Sequence, residues 1–377
     1  MSLWHRVGVG RRRLALGVAA VLLAGCASTD AGLGYYWQSV TGHWQLMRSA
    51  RPVADWLADE HTPPALRQKL ATARDIRRFA VTQLALPDNR SYTRYADLGR
   101  RAAVFNVVAA PALSLQLRQW CFPVAGCVGY RGYYDEAAAQ AFAASLPADM
   151  DVAVYPVQAY STLGWLDWFG GDPLLNTFIG YPDGELARLV FHELAHQVVY
   201  VAGDMAFNES FATAVERLGG ERWLSRDASP DSRAAYEQFD RRRQAFRTLT
   251  LHTREQLAAV YAHRALSESG QRARKADVMA DFRRRYGALK AAWGGYAGYD
   301  AWVAQANNAL FGAQAAYDQW VPAFEALFAR EGSDFARFYA AAKALAAEPA
   351  AERQAALQAL MPAPSAKQPD RDGAAPR

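Results

Sequence analysis

His192, Glu193 and His196 stand as H-E-x-x-H inside ARLVFHELAHQVVYVAGDMAFNESFATAVERL, Ala187 to Leu218. The 377-residue chain has only seven histidines, so composition does not account for two of them lying one helical turn apart around a glutamate. On a helix both imidazoles share a face and can reach one ion about 2.0–2.1 Å away, leaving the Glu193 carboxylate beside the ion's water. The pattern alone is loose, and its surroundings decide. Leu189, Val190, Leu194, Ala195 and Val198 are uncharged, as a helix buried next to its chemistry requires.

A catalytic zinc ion takes three protein ligands and keeps a fourth position open. FNESFATAVERLGG, from Phe207 to Gly220, supplies the third: Glu209 lies thirteen residues beyond His196, room for the motif helix to run from Asp183 to a stop at Gly203 and for a returning helix capped by Asp204 or Asn208 and ending at Gly219 and Gly220. Thr213 and Glu216 follow four and seven residues later on the same face. Glu209 is therefore the expected ligand, with Asn208, Thr213 and Glu216 behind it and Glu216 as the alternative ligand. A structural zinc site would be closed by cysteines, which this segment lacks.

H-E-x-x-H followed by N-E-x-F-A resembles the gluzincin metallopeptidases, although their second glutamate lies further downstream. Phe191 to Val198 with Asn208 to Thr213 is more similar to a family of predicted bacterial zinc aminopeptidases, many of them lipoproteins. That resemblance extends over nearly the whole mature chain, including YSTLGW, GYYDE and NNA. It implies a single zinc ion, a peptide substrate, and Glu193 as the base that takes a proton from the attacking water and passes it to the leaving amine. A further donor must hold the oxyanion, with Tyr317 the first candidate and Tyr160 and Tyr236 the others. As in gluzincins, the stretch before the motif helix would pair with the substrate backbone through Tyr160, Ser161, Thr162 and Gly164. Asn307 and Asn308 would roof the site. Trp165, Trp168 and Phe169 line an apolar pocket or belong to the core. Asp167, Asp172 and Glu185 are candidates for holding a free amino terminus. Two other readings stay open: a zinc endopeptidase or peptidoglycan amide hydrolase, and a tethered scaffold without catalysis, against which the intact Glu193 argues.

The amino terminus sets the compartment. Arg6 and Arg11 to Arg13 precede LALGVAAVLLAG, an apolar run too short to span comfortably, and Leu23-Ala24-Gly25-Cys26 resembles a bacterial lipobox. Residues 1–25 are expected to be removed, Cys26 to be acylated, and residues 26–34 to tether the fold to the periplasmic face of a membrane. Ala27 after the cysteine favours the outer membrane. Removing the leader takes four arginines and no acids from a formal charge of +5, leaving +1. That gives little support to a nucleic-acid partner, which needs a clustered positive surface, and none is expected. DRRRQAF at Asp240 to Phe246 and RARKADVMADFRRRYG at Arg272 to Gly287 read as solvated helix faces. In an oxidising compartment Cys121 and Cys127 are expected to close the short CFPVAGC loop as a disulfide.

These residues need a scaffold. Three- and four-residue apolar spacing predicts helices in GYYWQSVTGHWQLMRSARPVADWL, PALRQKLATARDIRRFAVTQLAL and DEAAAQAFAASL. Alternation bounded by Gly and Pro predicts strands in AAVFNVVAAP, CVGYRGYY and MDVAVYPVQAYST. The expected fold is α+β and predominantly helical: helices over 35–100, a small sheet over about 101–165, a zincin-like motif helix packed beside it, and helices over 184–360. Residues 361–377 are Pro-rich, charged and aperiodic, and are expected to be disordered.

Overall fold

A computed structural model of the chain describes residues 33–122, 126–159, 171–314 and 319–362. In its first part, α1 (Leu33–Ser49) is separated from α2 (Val53–Ala58) by the short β1 (Arg51–Pro52). Pro52 has no N–H to continue a helix, so the expected single helical stretch breaks there. α3 (Pro64–Leu84) ends at Ala85, which takes a left-handed conformation at φ 49°. Then come β2 (Arg94–Ala96), β3 (Val104–Pro111), β4 (Trp120–Phe122), β5 (Gly126–Val128) and β6 (Arg131–Tyr133). α4 (Glu136–Ala144) starts on Asp135, whose side chain accepts from Ala138 N. β7 (Met150–Val157) and β8 (Leu174–Leu175) complete the strands.

The remainder is helical: α5 (Asp183–Ala195), α6 (Met205–Arg226), α7 (Pro230–Ala262), α8 (Glu268–Ala292), α9 (Asp300–Ala304), α10 (Asn308–Gln314), α11 (Val321–Arg330), α12 (Phe335–Ala347) and α13 (Ala350–Leu360). The fold is α+β with helices predominating, and the strands form small sheets rather than one. β3 lies centrally in the antiparallel order β6-β3-β7. Its side chains are buried on both faces: Phe105 and Val107 against α4, Val108 and Ala110 against α10. That double cover is why VFNVVAAP reads as a continuous apolar run. A second sheet, β1-β2-β8, joins the amino-terminal helices to the chain entering α5. β4 and β5 form a hairpin in which Cys121 and Cys127 stand opposite each other and are joined by a disulfide.

The main core gathers α3, α5, α6 and the carboxy-terminal helices. Phe324 packs edge-on against Phe207 and Phe211 of α6, and Phe338 against Phe324, so the last helices brace α6 from behind. α7 and α8 carry a separate core around Phe246, Met279, Phe282 and Tyr286.

Two expected boundaries move. α5 stops at Ala195 instead of running to Gly203, because β-branched Val198, Val199 and Val201 follow and the last turn tightens through Gln197 N to Leu194 O and Val198 N to Ala195 O. Gly203, at φ +81°, serves the connecting loop. α6 does not end at Gly219 and Gly220 but continues to Arg226. The two glycines lie where α6 crosses α5: a Cβ at Gly219 would stand 2.7 Å from Leu84 Cδ1 and 3.1 Å from Phe191, and one at Gly220 2.6 Å from Arg188 Cγ. They are contact residues, not stops.

An unconstrained helical Gly→Ala change gains up to about 1 kcal/mol. Gly219→Ala and Gly220→Ala should instead each lose about 1–3 kcal/mol by overpacking, read as a lower midpoint in urea unfolding. Unchanged or raised midpoints would show that the helices can separate without cost.

Candidate active site

The site forms where α5 meets α6. Asp183 and Glu185 occupy the first turn of α5, where the helix dipole favours acids. His196 is its cap residue, still bonded through its N–H to His192 O at 3.3 Å, so the two histidines keep their one-turn relation. Asp204 caps α6 by accepting from Phe207 N at 3.0 Å. Asn208 reaches back to the loop: its Oδ1 accepts from Val201 N and its Nδ2 donates to Val201 O, both at 2.8 Å. These paired bonds fix the start of α6, and Glu209, the next residue, faces the histidines.

The Nε2 atoms of His192 and His196 lie 3.2 Å apart, and Glu209 Oε2 lies 3.4 Å from the first and 3.7 Å from the second. Ligand atoms about 2.0–2.1 Å from one tetrahedral ion stand roughly 3.3 Å from each other. His192, His196 and Glu209 could therefore hold a metal ion between them. Behind them, His192 Nδ1 bonds Glu216 Oε2 at 3.0 Å and Glu216 Oε1 accepts from Arg188. This arrangement turns His192 Nε2 towards the ion position. His196 Nδ1 has no hydrogen-bond partner among the described residues.

Charge follows the same layout. Burial opposes a charged His192, but Glu209 and Glu216 outweigh it and push its pKa well above the ordinary imidazole value. Burial pulls His196 down to about 4. Burial also works against the Glu216 carboxylate, yet Arg188 and His192 hold it at about 2.

A cavity of about 630 Å³ opens beside these groups, lined by His192, Glu193, Thr213, Glu216, Tyr236 and Arg243 among others. Arg188 is only 4 % exposed and was not legible among its apolar neighbours. Besides Glu216 it meets the Tyr236 hydroxyl at 2.9 Å and Glu185 and Asp240 at 3.6 Å. Asp240 and Arg243 pair with each other, and Arg243 also meets Glu185 at 3.0 Å. The reading of DRRRQAF as a solvated face is thus corrected: spacing of four along α7 aims Arg243 and Arg247 at the cavity. Burial pushes Glu185 up to about 7 despite Arg188. Tyr92 is a further neighbour missed in the sequence; burial first, then the charges of Glu193 and Asp172, raise its phenol well above the usual range.

Other expected residues have different places. Asn307 and Asn308 do not border this cavity. Asn307 donates to Val152 O and caps Ala309 N; the buried Asn308 donates to Pro111 O and Ala112 O and accepts from Tyr261. They bind α10 to the sheet. Asp172 is buried against Ser91 and Tyr92 through backbone bonds. The Tyr236 hydroxyl is engaged by Arg188 and Arg243. Tyr160, Ser161, Thr162, Gly164, Trp165, Asp167, Trp168, Phe169, Tyr317 and Cys26 lie outside the described residues.

A family model described as "Putative aminopeptidase" matches residues 34–357. The chain belongs to that family. The match begins just after the expected leader and tether and spans α1 to α13, so the metal-competent cluster and the cavity both fall inside it. No curated protein and no solved structure matches the chain significantly. At the coarse level this is a peptidase family, and a peptide substrate follows.

Glu209→Gln should abolish stoichiometric metal binding, whereas Glu216→Gln should weaken it about 10- to 100-fold, measured by competition with a chromophoric chelator. The reverse order of losses would exchange the two roles.

Proposed function

We infer that the protein is a zinc-dependent aminopeptidase held at the cell envelope by an acylated Cys26. The observation that carries this reading is the convergence of His192, His196 and Glu209 to within ligand spacing, with Glu193 and His192 lining the adjoining cavity. Two imidazoles and one carboxylate form the donor set of hydrolytic zinc sites, in which a fourth position stays open. Zn2+ bound there supplies Lewis acidity towards a carbonyl and acidifies water. Glu193 accepts the proton of the attacking water and returns it to the departing amine, so no net proton is left on the protein. Glu216 and Arg188 keep the His192 ring in register while this happens. The H-E-x-x-H helix, which packs chiefly on α3, α6 and α7 instead of beside the central sheet as expected, is read as zincin-like.

The address rests on the sequence. The lipobox-like Leu23 to Cys26 supports an address on the outer side of the inner membrane, and Ala27 favours transfer to the outer membrane. Among the described residues no helix is long and apolar enough to cross a membrane; in this reading acyl chains on Cys26 supply the attachment.

Purified protein is expected to release p-nitroaniline from aminoacyl-p-nitroanilides, to stop with 1,10-phenanthroline, and to recover on adding zinc. Glu193→Gln should keep its metal and lose about 10²- to 10⁴-fold in kcat. Internal cleavage of casein without nitroanilide turnover would make it an endopeptidase; cleavage of muropeptides alone, an envelope amide hydrolase. Silence on all three with zinc bound would leave a scaffold.

A further inference from the structure

α1 has two faces of different character. One is fixed to the body: Tyr35 stacks on Phe122 with the Arg131 guanidinium 4.2 Å from its ring, and Leu46 is buried in the main core. Between them Gly42 lies so close to Tyr134 that a Cβ would stand 2.3 Å from its ring. Residues 35, 42 and 46 share one side of a helix, so this contact fixes which side faces away.

The side facing away carries Trp37, Val40 and Trp44, which are 72 %, 64 % and 49 % exposed and are the large exposed hydrophobics among the described residues. They fall at i, i+3 and i+7, with Arg48 one turn further and its guanidinium 6.0 Å from the Trp44 ring. Thr41, on the same side, donates its hydroxyl to Trp37 O at 2.9 Å, so the stripe presents no unpaired hydroxyl there. α1 contains no Asp or Glu. Two tryptophans, a valine and a terminal arginine without acids suit the boundary between acyl chains and phosphate headgroups, where indole and guanidinium each meet a matching layer.

The chain outside the described residues says what covers this face. Six residues, or seven Cα-to-Cα steps, separate Cys26 from Leu33, at most about 25 Å of extended backbone. If the acyl chains on Cys26 lie in a bilayer, the start of α1 cannot leave its surface by more than that. We propose that the Trp37, Val40 and Trp44 face of α1 lies on the lipid bilayer that holds the anchor and sets the orientation of the body against it. α1 has the mixed character of an interfacial helix, lying on the membrane and not spanning it. The inference rests on the proposed acylation, which mass spectrometry of the Cys26 peptide checks separately.

The test uses the full lipidated chain in phosphatidylethanolamine and phosphatidylglycerol vesicles, carrying a nitroxide at Val40→Cys or, as a control on the exposed side of α8, at Arg274→Cys. The Val40 label should be relaxed more by oxygen than by a water-soluble nickel chelate, and the Arg274 label the reverse. Adding Trp37→Ser and Trp44→Ser should remove the oxygen preference at Val40 while the acylated protein stays on the vesicles. A Val40 label as open to nickel as the control overturns the proposal, and one shielded from both relaxants means that protein, such as a second copy, covers the face. Acylated Cys26 with either of those results defeats the proposal while sparing the anchor; an unacylated Cys26 defeats the anchor.

Discussion

A buried guanidinium organises this protein. Removing a charge from water costs several kcal/mol unless paired and hydrogen-bonded partners replace the water. Arg188 meets most of that demand with Glu216 from α6, Glu185 from its own helix, and Tyr236 and Asp240 from α7, while its buried Nε has no hydrogen-bond partner among the described residues. Three helices are thereby tied at one point. Because Glu216 also holds His192, the same point fixes the orientation of a metal-competent ring. Losing Glu216 would leave Arg188 only the longer ion pairings with Glu185 and Asp240 and would free the His192 ring, so these residues act together.

Close approach makes that point possible. Arg188 lies against Gly220 and Tyr236 against Gly184, each at a distance a Cβ would not permit. On the other side of the crossing, Asn208 replaces a strand partner for Val201, so the loop between the helices has its backbone groups satisfied and Glu209 enters in register. Ligand spacing thus depends on two glycines and one asparagine that touch no ion. The aromatic packing of Phe324 and Phe338 behind α6 supplies the stiffness from the far side.

Much of this was legible in the chain. H-E-x-x-H and the N-E pair carry their chemistry in residue type and spacing, which local helical geometry converts directly into shared faces. The helical and strand segments followed from periodicity for the same reason. What was not legible depends on partners distant in sequence. Arg188 looks like an interruption of an apolar face until Glu216 and Asp240 are brought beside it. Gly219 and Gly220 look like a helix end because the local preference of glycine is to stop a helix, and only the crossing with α5 gives them another use. Asp240 and Arg243 match a solvated pattern because charged spacing of three and four is the same whether it faces water or a polar cavity. Asn307 and Asn308 read as groups that would roof the site, although amides can as well satisfy strand carbonyls, as they do here.

The cavity and the ion position are not separate features joined by proximity. Glu185, Arg188, Asp240, Arg243 and Tyr236 form one connected set of hydrogen bonds and ion pairs, and its inner end is Glu216 on His192. Any charged group entering the cavity competes for members of that set, because each acid there already shares its neighbours' guanidinium protons. The cost of such competition is electrostatic and is felt where the dielectric is low, which is at the buried Arg188 end. The outer cavity and the His192 ring are therefore two ends of one hydrogen-bonded network that passes through Arg188. A wall made of apolar residues would have lacked this link, which gives a physical reason for a polar lining next to a buried metal-competent cluster.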